Sequence, residues 1–241
     1  MRADYTLPRL YLDAAIEGEI DLPREQAHYL GTVLRKRVGD RVRVFNARDG
    51  EWAAEIGAQD RKSMRLLIGD RLRAPDTVPD IRLLFAPIRK HRTATVLEKA
   101  TELGVRTIQP VITARTQYPK LNIQRAMAQI IDAAEQTERL DLPELLSPVA
   151  LAESFTDGRT LLFADEGGNG ATALSVLDGT ALPVDVLIGP EGGFTDEERD
   201  MIRARSGVTA ISLGPRILRA DTAAISLLTL VQAKVGDWQQ N

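Results

Sequence analysis

The chain has 241 residues, 44% hydrophobic and 27% charged, which suits one large or two ordinary globular domains with proper cores. It has no cysteine, which excludes disulfides and thiolate chemistry and fits a reducing compartment. The net charge of −3 covers an asymmetry: residues 1–75 carry 14 Lys/Arg against 12 Asp/Glu, and residues 76–241 carry 17 against 22. The surplus is concentrated in residues 35–73, at 11 basic against 6 acidic. Basic residues gathered on a small domain neutralise phosphates or simply form a solvated surface. Residues 1–12 lack the apolar core of a signal peptide, and no apolar run reaches the roughly 18 residues of a membrane span. The expectation is a cytoplasmic protein.

Leu10–Leu12 and Glu19–Leu22 read as short strands. Pro23 to Arg37 predicts a helix, with proline in the first turn and Ala27, Leu30, Val33 and Leu34 on one face. Arg41–Phe45 alternates with Val42 and Val44 inward, Arg48-Asp49-Gly50 marks a hairpin, and Glu51–Ile56 and Ser63–Ile68 supply further strands. Short strands on tight turns suggest a small barrel. Ala74 to Pro79, with two prolines and no periodicity, is the linker.

Beyond it, strand and helix alternate. Strands are expected at Ile81–Pro87, Thr107–Ile112, Thr160–Ala164, Val184–Ile188 and Val208–Leu213, and helices at His91–Leu103, Asn122–Arg139 and Asp221–Val235. Gly104 would close the first helix, and Thr195-Asp196-Glu197-Glu198 reads as a capping box for another. Continuous apolar strands between helices predict an α/β domain with a mainly parallel sheet, whose ligands bind beyond the carboxyl ends of the strands.

Two segments sit at that edge. Gly189-Pro190-Glu191-Gly192-Gly193 and Leu213-Gly214-Pro215-Arg216-Ile217-Leu218-Arg219 each follow an apolar run and precede a helix. Such turns bring bare backbone against a ligand, and two of them within about 35 residues suggest two walls of one pocket. Neither a phosphate loop nor a GxGxxG fingerprint is present, which disfavours a nucleoside-triphosphate or nicotinamide enzyme. Gly167-Gly168-Asn169-Gly170 reads as a flexible turn. Asp221 or Thr222 is expected to cap the last helix, with Arg219 either on the surface or in the pocket. Glu135 and Arg139 are spaced for an intrahelical ion pair, and Arg89-Lys90-His91-Arg92 is either a solvated helix start or a phosphate contact. His28 and His91 have no partner at ligand spacing, so no metal site is expected.

In chain order, KATELGV (99–105), AAEQTER (133–139), LIGPEGGFTDEE (187–198) and SLGPRILRADTA (212–223) resemble the RsmE-type ribosomal RNA small-subunit methyltransferases, of the SPOUT superfamily. The resemblance covers the whole chain, and the GPEGG and LGPRILRADTA pair at this spacing is highly specific. It implies a PUA-like RNA-binding β-barrel in residues 1–74 and a SPOUT α/β domain with a trefoil knot in residues 75–241. It implies a homodimer that methylates N3 of one uridine in 16S rRNA of the small ribosomal subunit, with S-adenosyl-L-methionine as cofactor and neither metal nor membrane involved. The cofactor would lie among Ala164, Glu166, Gly189, Pro190, Glu191, Gly192, Gly193, Leu213, Gly214, Ile217, Leu218 and Thr222. Arg219 would stabilise charge growing on the uridine oxygen, and Asp221 or Glu191 would act as base or orient Arg219. Arg35, Lys36, Arg37, Arg89, Lys90, Arg92 and Arg139 would contact RNA. The chain departs from the family at Ala220-Asp221, where Thr-Glu is commoner, and at Thr137-Glu138, where a small residue and glycine often stand. Another SPOUT methyltransferase, acting on tRNA or a ribose hydroxyl, and a non-catalytic RNA-binding assembly factor remain as alternatives.

Overall fold

A computed structural model describes residues 6–60, 63–165 and 170–239. The chain forms two compact units, Met1–Thr77 with Ala134–Leu142, and Val78–Ala133 with Pro143–Asn241. The break after the N-terminal region falls close to the expected linker. The return of Ala134–Leu142 to the first unit has no counterpart in the expected 1–74 and 75–241 division.

The first unit is built on five strands: β1 Arg9–Tyr11, β2 Glu19–Asp21, β3 Arg41–Asn46, β4 Gly50–Gln59 and β5 Met64–Arg73. They pair in the order β1-β3-β4-β5-β2, antiparallel except for β1 on β3. Register shifts in the β4–β5 ladder bend these two long strands. Val42 and Val44 face inward as the alternation required, and meet Leu10, Leu30, Ile56 and Leu66 in one core.

The helix expected over residues 23–37 is shorter. Pro23 is the N-cap, α1 covers Arg24–His28, and Tyr29–Val33 widens into a π-type turn. The widening buries Leu30 and leaves Val33 59% exposed. A side chain at Gly31 would meet the Gln59 amide at 2.9 Å, so this turn packs by omitting one. Arg35 then takes φ 56°, and Arg35-Lys36-Arg37 lies outside the helix.

Beneath this lies a charge cluster that composition hides. Glu51, with no exposed side-chain surface, accepts hydrogen bonds from Arg9 (2.6 Å), Arg43 (3.1 Å) and Arg73 (2.9 Å). The same arginines seize the end of the helix that leads into Ala134–Leu142. Arg9 donates to the carbonyls of Ala134 and Arg139, and Arg73 to that of Glu138. A helix end leaves carbonyls without partners, and here guanidinium groups supply them. Phe45, Ala134 and Leu140 pack together over the cluster.

Glu138 has φ 62°, a left-handed conformation that costs a non-glycine residue about 1 kcal/mol. Its carboxylate offsets this with a bidentate pair to Arg43 at 2.6 and 2.7 Å. Burial alone would raise the Glu138 carboxyl. The Arg43 hydrogen bonds and the charges of Arg43, Arg9 and Arg73 outweigh that and hold it below the usual glutamate range.

The second unit carries β6 Ile81–Phe85, β7 Thr107–Ile112, β8 Glu144–Leu145, β9 Val149–Ala150, β10 Thr160–Ala164, β11 Ala171–Thr172, β12 Val184–Ile188 and β13 Val208–Ser212. The order is β11-β13-β10-β12-β6-β7-β8, with β9 also on β7, and every pairing is parallel. Helices α2 Lys90–Glu102, α3 Ile123–Gln136, α4 Ala173–Leu177 and α5 Asp196–Arg203 connect them, and α6 Ala220–Lys234 follows the last strand. Gly104 turns α2 off at φ 71°, as expected. The capping box forms, with Thr195 and Glu198 each accepting the other's backbone N–H. The cap of α6 differs from expectation. Its N-cap is Arg219 with no side-chain cap, and the Asp221 carboxylate, already within the first turn, accepts the N–H of Thr222 at 3.0 Å.

Glu138→Gln is expected to lower stability by about 2 kcal/mol near neutral pH, since a charged hydrogen-bond partner of a buried guanidinium is lost. A lowered carboxyl stabilises the fold fully above its unfolded value and loses that contribution as pH falls through the folded value. Urea titrations from pH 7 to pH 3 should therefore show the gap between wild type and variant closing only below the ordinary glutamate range. A gap independent of pH would contradict the assignment.

Candidate active site

The parallel sheet brings three strand ends together. Ala164 pairs with Ile211 across β10 and β13, and Phe163 with Leu187 across β10 and β12. The loops leaving these ends enclose a cavity of about 330 Å³, within the range of small-molecule sites.

The wall after β12 is the Gly189–Gly193 turn, closed by the Gly193 N–H donating to the Pro190 carbonyl at 2.9 Å. Phe194 folds back under it and meets Phe163 edge-on, with centroids 5.1 Å apart. A Cβ on Gly189 would lie 2.7 Å from the Phe194 ring, so glycine is needed there for packing. The wall after β13 is Leu213–Arg219, in which Gly214 has φ 109°, open to glycine almost alone. The wall after β10 is Ala164 and Asp165.

Of the residues expected to hold a cofactor, Ala164, Gly189, Pro190, Glu191, Leu213, Gly214, Ile217 and Leu218 line this cavity. Glu166 lies outside the described residues. Gly192 and Gly193 belong to the turn but do not line the cavity, and Thr222 is on the exposed side of α6. Of the catalytic candidates, Arg219 and Glu191 line the cavity, exposed and with no side-chain partner among the described residues. Asp221 does not line it, because its carboxylate turns to the Thr222 N–H.

Three supports hold these walls. Asp165, buried at the cavity wall, is clasped by Arg199 (3.3 Å) and Arg203 of α5. Arg115, after β7, donates to the Gly192 carbonyl at 2.7 Å and thereby braces the glycine turn. Ile188 and Ile211 supply apolar floor at the strand ends. The strand pattern implied these two isoleucines. No local pattern marks the Asp165 ion pairs or the Arg115 hydrogen bond, which join distant segments.

The expected RNA residues divide. Arg35 and Arg37 are exposed, Lys36 is half-buried, and Arg89, Lys90 and Arg92 stand at the start of α2. Arg139 departs from its expected role: its side chain is 7% exposed and pairs with Asp141 at 2.7 and 2.8 Å. It lies past the end of α3, where its carbonyl is captured by Arg9. Much of the basic surplus of residues 35–73 is also spent internally, in Arg43, Arg48, Arg65 and Arg73; Arg61 and Lys62 lie outside the described residues.

An apolar-floored cavity with free backbone and the exposed cations Arg216 and Arg219, at the carboxyl edge of a parallel sheet, defines a small-ligand-binding α/β protein. A family model described as an RNA methyltransferase domain matches residues 75–232, and one described as an RNA methyltransferase PUA domain matches residues 22–69. The ribosomal RNA small subunit methyltransferase E of Rickettsia conorii is 31% identical over 230 residues, covering 93% of this chain and 94% of that protein. A Legionella pneumophila structure described as a methyltransferase with bound cofactor SAM superimposes with a TM-score of 0.85 at 32% identity, covering 96% of this chain and 99% of that one. The ribosomal RNA small subunit methyltransferase E of Neisseria gonorrhoeae, bound to S-adenosyl methionine, gives 0.84 at 26% identity, covering 96% and 99%. The chain belongs to the RNA methyltransferase family that contains the ribosomal RNA small subunit methyltransferases E. Its fold is accordingly an N-terminal PUA domain on an antiparallel sheet followed by a parallel-sheet α/β domain.

Gly189→Ala is expected to cost about 1–3 kcal/mol by overpacking against Phe194, measured by urea denaturation. The double variant Gly189→Ala/Phe194→Leu should recover part of that loss, because the ring in conflict is gone. No recovery would mean that the glycine is required for another reason.

Proposed function

We propose that this chain transfers a methyl group from S-adenosylmethionine to N3 of a uridine in 16S rRNA of the small ribosomal subunit. The observation that carries the reading is the cavity at the ends of β10, β12 and β13 with Arg219 at its edge, unpaired among the described residues, in a chain whose relatives include ribosomal RNA small subunit methyltransferases E. The knot, the homodimer and the cytoplasmic location that the resemblance implies belong to the same proposal.

The cavity fits the cofactor. Leu213, Ile217 and Leu218 offer apolar surface for an adenine face, and Gly189 and Gly214 expose backbone for polar contacts. When bound, the cofactor supplies a sulfonium methyl as electrophile. The protein's own tasks are to hold the uridine ring in line with that methyl and to accommodate the charge of a ring that has lost its N3 proton. A neutral imide nitrogen is a poor nucleophile, so the proton must leave. Arg219 opposes the charge that then spreads onto the ring oxygens. Among the cavity carboxylates, Asp165 is held by two arginines, whereas Glu191 is exposed and has no side-chain partner among the described residues. Glu191 is therefore the better proton acceptor. Asp221, at the first turn of α6, orders the backbone beside Arg219.

The test is transfer from labelled S-adenosylmethionine to 30S subunits from cells lacking this gene, with nucleoside mass spectrometry. The expected product is 3-methyluridine; a methylated ribose or no product would refute the proposal. Arg219→Ala should lower the transfer rate by about 10²–10³ while calorimetry still finds cofactor binding.

A further inference from the structure

A second cavity in the same unit, of about 190 Å³, shares no lining residue with the first. It lies between the β6–α2 connection (Pro87, Ile88, Lys90) and the segment entering α3 (Tyr118, Lys120, Arg125). Its floor is apolar and fixed. Ile88 and Ala126 are buried, and Thr93 closes the turn by exchanging hydrogen bonds with both the N–H and the carbonyl of Ile88. Its rim is cationic. Lys90, Lys120 and Arg125 are exposed, no acidic residue lines the cavity, and none of the three has an ion-pair partner among the described residues. The rim contrasts with Arg9, Arg43, Arg65, Arg73, Arg82, Arg139 and Arg159, each of which is paired with a carboxylate. Like charges held around one hollow repel each other unless an anion joins them. Tyr118, 40% exposed, adds an aromatic face beside them.

Both cavities open at one edge of the sheet. β6 is the neighbour of β12, Phe85 pairs with Ile188, and the Ala86 N–H continues the ladder to the Ile188 carbonyl. The segment after β7 links the two: Arg115 braces the glycine turn of the first cavity, and Tyr118 and Lys120, a few residues on, line the second.

We propose that the second cavity is a docking subsite for a backbone phosphate of the substrate RNA, with the adjacent base stacked on Tyr118; this rests on the RNA methyl-transfer reading above. Lysines act as point charges toward a phosphate, the Arg125 fork grips two of its oxygens, and a tyrosine face takes any base. A strand running along the sheet edge would occupy this subsite while its target base enters the first cavity. The hollow is too small to enclose a whole nucleotide, so it contributes affinity and register and not base identity.

The test is equilibrium binding of the full-length protein to unmodified 30S subunits over a range of salt concentrations. Lys120→Gln/Arg125→Gln should weaken binding about tenfold or more near physiological salt and reduce the slope of log K against log salt by about 2. Tyr118→Leu should weaken binding several-fold and leave the slope unchanged, since it removes no charge. Cofactor affinity by calorimetry, measured on each variant, reports an intact fold; a double variant that loses it is replaced by Lys120→Gln alone, with an expected slope change of about 1. A wild-type slope and affinity in the charge variants would overturn the proposal. Saturable binding of inorganic phosphate that disappears in the double variant, with the RNA slope unchanged, would make this a free-anion site and also overturn it. If wild type binds 30S subunits but transfers no methyl, the reaction reading fails, while the slopes still decide the subsite.

Discussion

The site depends on one constraint, the parallel register of β13, β10, β12 and β6. Every strand of this sheet runs the same way, so every carboxyl end arrives at the same edge. Short loops leaving that edge cannot avoid each other. A one-residue slip of β12 against β10 would exchange the faces of its side chains and move Gly189 away from Ala164. The register is held from both faces by buried apolar contacts, among them Leu162, Phe163, Val186 and Leu187, each with essentially no exposed surface. Burial remote from the chemistry thus fixes where the chemistry can occur.

Upon that register the loops are secured by unlike means. The turn after β12 is packed, with Phe194 beneath Gly189 and Arg115 on the Gly192 carbonyl. The end of β10 is tied electrostatically, with Asp165 between Arg199 and Arg203. The segment after β13 has the least support: Ile217 is 85% exposed and Gly214 has open space where a side chain would be.

What the sequence made legible was whatever depends on nearest neighbours. The apolar runs at Thr160–Ala164 and Val184–Ile188 became strands with the expected bounds, and Thr195 with Glu198 formed the expected capping box. The glycine turns carry their own signal, because glycine is the residue that close packing and positive φ require. Charge was read less well. A run of arginines looks the same whether it faces water or a buried carboxylate, and Arg43 and Arg73 turned inward to Glu51. The cations left unpaired around the second cavity come from segments thirty residues apart, Lys90 on one side and Lys120 and Arg125 on the other. Strands of two residues, such as β8 and β11, are too short to show a period at all.

Glu138 joins these themes. The sequence marks it only as a departure from a family that often has glycine there, and such a change would ordinarily count as harmful. The backbone is indeed left-handed at this residue, so the position does favour glycine. A glycine could not, however, reach Arg43, which has 1% of its side-chain surface exposed and would otherwise share the single carboxylate of Glu51 with Arg9 and Arg73. Three guanidinium groups around one carboxylate leave a net buried positive charge, which is costly. The second carboxylate reduces it, at the expense of local backbone strain. The loop after α3 is thus held by electrostatics in this chain where a relaxed turn would otherwise serve, and the two solutions should respond differently to acid.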